Sequence, residues 1–220
     1  MKNKLDLGFC KIIYSGKKPI RIDLVKKAYK LNQSFFKTEI TKFEIKLIYS
    51  RKKFDNLWGS ETENFVSAFA RGNKIVIFDY SVFDEETRWK KQKFFGALIH
   101  EINHLFYEKI RGHEYDPLWL SEGLATFIQH KQKKFPYKKK LEITKKLLEA
   151  TFDEITLDTY QVYTLFTEYL FFKYGMEKIL RIIKGLREGK NLNKLFQGIY
   201  KKSFQQLIKD ANEYQKTSRN

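Results

Sequence analysis

Apolar residues at Leu24, Val25, Ala28 and Leu31 follow an acidic start at Asp23, close to the 3.6-residue period, so the pattern predicts an amphipathic helix over residues 23–36. The period then changes. Phe43, Ile45, Leu47 and Tyr49 alternate with Glu44 and Lys46, the pattern of a half-buried strand, and a polar loop is expected from there to Asn64. Two short strand-like runs, 65–70 and 74–79, flank Arg71-Gly72-Asn73, whose glycine and asparagine tolerate the positive φ of a tight hairpin. From Asp84, read as an N-cap, a helical pattern runs through Phe94, Phe95, Leu98, Ile99, Ile102, Leu105 and Phe106 and ends near Arg111-Gly112. Pro117 suits the first turn of another helix, from 118 to about 132. Further helices are expected at 138–150, 158–174, 176–187, 192–200 and, after Ser203 as N-cap, 203–214. Strands come early and helices late, which predicts an α+β fold.

Composition narrows the classes. The 220 residues suffice for one generous domain or two small ones with a real core, and 42% hydrophobic with 16% aromatic residues excludes wholesale disorder. The net charge of +17 attracts phosphate backbones, anionic membranes or acidic proteins without choosing among them. Cys10, the single cysteine, forms no internal disulfide or thiolate cluster and reads as an inert apolar residue in a reducing compartment. The basic N-terminus is not followed by a signal-peptide core, since Lys11 and Lys17-Lys18 interrupt it, so a cytoplasmic protein is expected. Apolar runs such as Leu170-Phe171-Phe172 fall far short of the ~20 residues of a membrane span. There is no internal repeat, heptad run or glycine-rich phosphate loop, which disfavours nucleotide chemistry.

Chemistry concentrates in His100-Glu101-Ile102-Asn103-His104, an HExxH motif. Residues i and i+4 share a helix face, so both imidazoles can reach one metal, and Glu101 sits where it can take a proton from the attacking water. Two histidines in a partly apolar helix also occur as hydrogen-bonded core or surface groups, so the reading depends on a third ligand, because catalytic zinc takes three protein ligands and keeps one open position. Glu122 lies in Trp119-Leu120-Ser121-Glu122-Gly123-Leu124-Ala125, with seventeen residues between it and His104. Small Gly123 and Ala125 suit close packing of that helix against the HExxH helix; the plainer alternative is a first-turn acid favoured by the helix dipole.

HEINH followed by WLSEGLA resembles the gluzincin zinc metallopeptidases, specifically the peptidase MA-like family related to the aminopeptidase N catalytic core. The resemblance covers roughly residues 43–214 and is strongest over 98–127. It implies His100, His104 and Glu122 as Zn2+ ligands and Glu101 as general base, with a loop one residue shorter than the aminopeptidases usually have. Thr159-Tyr160, before a helix containing Leu165-Phe166 and Tyr169-Leu170-Phe171, is similar to the family segment whose tyrosine stabilises the transition state; this makes Tyr160 the candidate and Tyr163 the fallback, the alternative being a core aromatic. The hairpin over 65–79 resembles the family's substrate-pairing edge strand, with Ala68, Phe69 and Ala70 as contacts. No Gly-x-Met-Glu-Asn segment is present to grip a free amine, so an endopeptidase acting on peptide or protein substrates is expected. The metzincin pattern fails at Tyr107 and Ile110; His113 and His130 are expected to face solvent, a His113 ligand being the alternative, and Thr126, four residues after Glu122, is a candidate hydrogen-bond partner of a ligand histidine.

Residues 131–146 hold eight lysines and one glutamate around Pro136 and mark a hinge between an N-terminal α/β part, 1–130, and a helical subdomain, 131–220, of one compact catalytic unit. Phe135 and Tyr137 among those lysines offer stacking beside phosphate contacts, so nucleic-acid binding is the alternative function, although such runs are more often solvated loops. A metal-bound scaffold without catalysis is the third. The expected architecture is a thermolysin-like gluzincin core with a small, mostly antiparallel N-terminal sheet, two metal-bearing helices and a helical C-terminal half.

Overall fold

A computed structural model describes residues 2–16, 21–112, 116–130 and 141–218. The chain divides into two compact units, residues 1–106 and 107–220, and the boundary falls inside one helix. Its class is α+β, strands first and helices after.

The first unit is built on a five-stranded sheet of order β1-β2-β3-β5-β4. β1 (Lys2–Asp6) and β2 (Cys10–Ser15) form an antiparallel hairpin that the sequence reading did not anticipate; Asp6 accepts the Gly8 N–H at 2.7 Å and Gly8 takes φ +84° in the turn. α1 (Ile22–Phe36) then carries the chain back, so β3 (Phe43–Ile48) enters parallel to β2. β5 (Lys74–Phe78) is parallel to β3, and β4 (Ala68–Arg71) pairs antiparallel with β5 at the sheet edge, through the expected turn with Gly72 at φ +57°. The sheet is therefore mixed, not mostly antiparallel: the two hairpins are antiparallel, but crossover connections make β2, β3 and β5 run the same way.

Strand register separates two faces. Phe43, Ile45 and Leu47 line up with Ile75 and Ile77, and Phe43 meets Tyr29 of α1 with ring centroids 6.2 Å apart. On the opposite face Phe78 stacks at 4.8 Å on Phe54 of α2 (Arg51–Trp58), a helix inside what the sequence suggested was a polar loop. Arg51 holds this corner: its guanidinium donates to Val66 O at 2.9 Å and to Glu86 O, and lies 4.6 Å from the Phe78 ring. The Glu86 carboxylate in turn accepts the Arg51 N–H.

The helix expected from Asp84 onward is broken. α3 (Phe83–Glu86) stops where the Thr87 hydroxyl donates to Phe83 O at 2.7 Å and accepts the Trp89 N–H at 3.1 Å, and α4 (Phe94–Arg111) begins only after a 3-10 turn at Lys91–Lys93. Asp84 thus lies within α3 rather than capping the long helix.

The second unit centres on α5 (Leu118–Gln129) and α7 (Leu157–Tyr174), both buried through most of their length. α7 starts at a capping box in which the Thr156 side chain accepts the Thr159 N–H and the Thr159 side chain accepts the Thr156 N–H. α8 (Met176–Arg187), α9 (Leu192–Tyr200) and α10 (Phe204–Ser218) follow, with Trp119, Phe166, Phe196 and Phe204 in one aromatic cluster. Ser203 caps α10 as expected, accepting the Gln206 N–H at 3.2 Å. Of the expected 138–150 helix, the described part, 141–150, is helical only over α6 (Lys145–Leu148), and Ile143 is instead tied through its backbone N–H and C=O to the Asn212 side chain. Residues 131–140, including the expected hinge, most of the lysine run, Phe135 and Tyr137, lie outside the described residues. Among the described residues no helix is long and apolar enough to cross a membrane.

Candidate metal centre

α4 is an apolar helix with a polar insertion. Phe94, Leu98, Ile99, Ile102, Leu105 and Phe106 are buried in it, which holds the HEINH turn in a fixed environment. His104 is 5% and Glu101 8% exposed, and His100 is half-buried. The two imidazoles face each other edge-on with centroids 4.9 Å apart, one helical turn separating them.

Glu122 sits on α5 and is 7% exposed. Its neighbour Gly123 explains how α5 lies so close to α7: a Cβ there would stand 2.3 Å from Thr167 Oγ1 and 2.6 Å from Tyr163 O. The close approach that Gly123 permits is thus to α7, where its small size was expected to serve packing against the HExxH helix; Ala125 is also fully buried.

One nitrogen from each of His100 and His104 and one Glu122 carboxylate oxygen all lie within 4.8 Å of one another. Donors arranged tetrahedrally about 2.0–2.1 Å from zinc stand about 3.3 Å apart, so side-chain movement on the order of 1 Å closes the set. Two neutral imidazoles and a carboxylate are a donor set that suits zinc. The residues present therefore fit the metal.

The two tyrosines differ sharply. Tyr163 is fully enclosed, its hydroxyl donates to Ala150 O at 3.3 Å, and burial, followed by the nearby Glu122 and Glu154 carboxylates, pushes its pKa up to about 12. Tyr160, one turn into α7, is half-buried, and its carbonyl accepts from the Thr164 hydroxyl at 2.8 Å.

Ala68, Phe69 and Ala70 occupy β4, the edge strand, where the Phe69 side chain is buried against Phe54 and Trp58 at 5.3 and 5.1 Å while the two alanines are half-buried. Thr126 is half-buried one turn after Glu122, and its carbonyl accepts the His130 N–H at 3.1 Å. His130 is half-buried rather than fully solvent-facing, and His113 lies outside the described residues. Asn103, inside the motif, and Asn32 on α1 have no expected role from the sequence. Both are buried and bonded to each other; the only sequence signal was an asparagine at a core position of each helix. Comparison with protein-family models and with curated proteins gives no match for the chain.

Proposed function

We propose that the protein is a zinc-dependent metallopeptidase of gluzincin type, on a thermolysin-like core, that cleaves peptide bonds within a chain. The observation that carries this reading is the convergence of His100, His104 and Glu122 donor atoms within 4.8 Å, with Glu101 next in sequence to the first of them. Zinc held by these three side chains supplies polarisation of the scissile carbonyl and acidification of water.

The chain's own residues do the rest. Glu101, shielded from bulk solvent, takes the proton from the attacking water and returns it to the departing amine. Tyr160 donates a hydrogen bond to the oxyanion of the tetrahedral intermediate, a stabilisation absent in the ground state. An extended substrate would lie along the edge strand β4, which carries Ala68, Phe69 and Ala70. Exopeptidase action is disfavoured by the lack of the amine-gripping glutamate segment. A cytoplasmic setting fits Cys10, whose thiol is buried and pushed up to about 12 by desolvation and then by Asp6, leaving it unreactive.

Substituting Glu101→Gln is the test. The variant is expected to keep its zinc while turnover of a fluorogenic protein substrate falls about 10²–10⁴-fold. Undiminished turnover with zinc retained would remove Glu101 from the mechanism, and a zinc-loaded wild-type chain with no turnover on any peptide library would leave a metal-bound scaffold.

A further inference from the structure

Asn32 of α1 and Asn103 of α4 are both 0% exposed, within a helix interface that is otherwise apolar and aromatic. Phe36 stacks on Phe106 at 5.6 Å and 12° there, and Tyr29 meets the same ring at 5.6 Å. Burial of such rings constrains the rotation of two helices less sharply than a hydrogen bond between them does. The amide pair is directional. Asn32 Nδ2 donates to Ala28 O on its own helix at 3.0 Å and to Ile99 O on α4 at 3.1 Å. With its NH2 group so engaged, Asn32 Oδ1 is left to accept from Asn103 Nδ2, at 3.0 Å.

The two anchor points on α4 are the residues immediately before the histidines: Ile99 precedes His100, and Asn103 precedes His104. A helix turns about 100° per residue, so fixing Ile99 and Asn103 against α1 fixes the bearing of both imidazoles. The arrangement also carries a cost, because Asn103 Oδ1 is buried with no hydrogen-bond partner among the described residues. Replacing a buried polar pair by apolar side chains of similar volume is often neutral or stabilising, and fixing register is the best-attested use of such a pair.

We infer that Asn32 and Asn103 are positioning residues for the metal centre: their amide pair sets the rotation of α4 so that His100 and His104 present their nitrogens together. This rests on the metal-centre reading above. Replacing both by leucine leaves no buried partner stranded, since Ala28 O and Ile99 O still accept their own helical N–H groups.

The experiment compares the full chain with Asn32→Leu/Asn103→Leu and with Asn103→Ala. It reads the melting temperature of each metal-free protein and its zinc affinity by competition with a chromophoric chelator. The double variant is expected to melt at or above the wild-type temperature yet to bind zinc about 10–100-fold more weakly, the range seen when groups orienting a ligand are removed. Asn103→Ala, which strands Asn32 Oδ1, is expected to lose both melting temperature and zinc affinity, and it serves as the test if the double variant does not fold. Zinc affinity within about twofold of wild type in the variants that fold would overturn the inference while leaving the metal reading intact; a wild-type chain that binds no zinc would overturn both.

Discussion

Gly123 shows what one hydrogen atom decides. The Cβ of an alanine there would stand 2.6 Å from the Tyr163 carbonyl oxygen, and that oxygen belongs to the α7 backbone and cannot turn aside as the Thr167 hydroxyl can. α5 must then move off α7, and Glu122, the preceding residue, moves with it. Gly123→Ala is expected to cost about 1–3 kcal/mol, the usual range for overpacking, and to weaken zinc binding. A thermal melt and a zinc titration check both, and an unchanged melting temperature would contradict the close approach. Glu122 entered through the family resemblance, but the shared helix face of His100 and His104 was legible from spacing alone, because i and i+4 positions on a helix leave little geometric freedom. The burial of Tyr163 was not, because a tyrosine looks the same in sequence whether its hydroxyl meets a backbone carbonyl, as here at Ala150, or a substrate.

Among elements, those with strong periodicity came through and those made by side-chain to backbone bonds did not. α1, β3, the β4–β5 hairpin, α5 and the helices from α7 onward follow a clear apolar period or a turn signal. α2 has only Phe54, Leu57 and Trp58 as apolar positions, and the Glu86 carboxylate that accepts the Arg51 N–H at its start comes from 35 residues away. The break between α3 and α4 is written by the Thr87 hydroxyl, a local bond that outcompetes helical pairing without disturbing the hydrophobic pattern. β1 escaped notice because its lysines conceal a strand that owes its existence to pairing with β2, where Cys10 and Ile12 are each 1% exposed. The parallel alignment of β2, β3 and β5 is likewise a consequence of crossovers, and no single strand's sequence contains it.

For the whole molecule, buried ionisable groups set the response to alkali. The Cys10 thiol is pushed from 9.0 to about 12 and the Tyr163 phenol from 10.0 to about 12, each chiefly by desolvation, and burial also raises Tyr169 and Tyr200. Below the ordinary pKa both folded and unfolded chains hold these protons. From about pH 9 upward the unfolded chain releases them and the folded chain does not, so stability falls as pH rises, by up to about 1.4 kcal/mol per group for each pH unit until the folded pKa is reached. Urea midpoints at about pH 8 and about pH 11 test this, with a lower midpoint expected at the higher pH; equal midpoints would contradict the burial of these groups.

The central claim is that His100, His104 and Glu122 form one zinc site, and metal content tests it most directly. Elemental analysis of the purified chain, beside His104→Ala prepared identically, should give about one zinc per wild-type chain and a near-complete loss in the variant. Zinc absent from the wild type even after reconstitution, or retained in full by the variant, would contradict the site and the proposed function built on it.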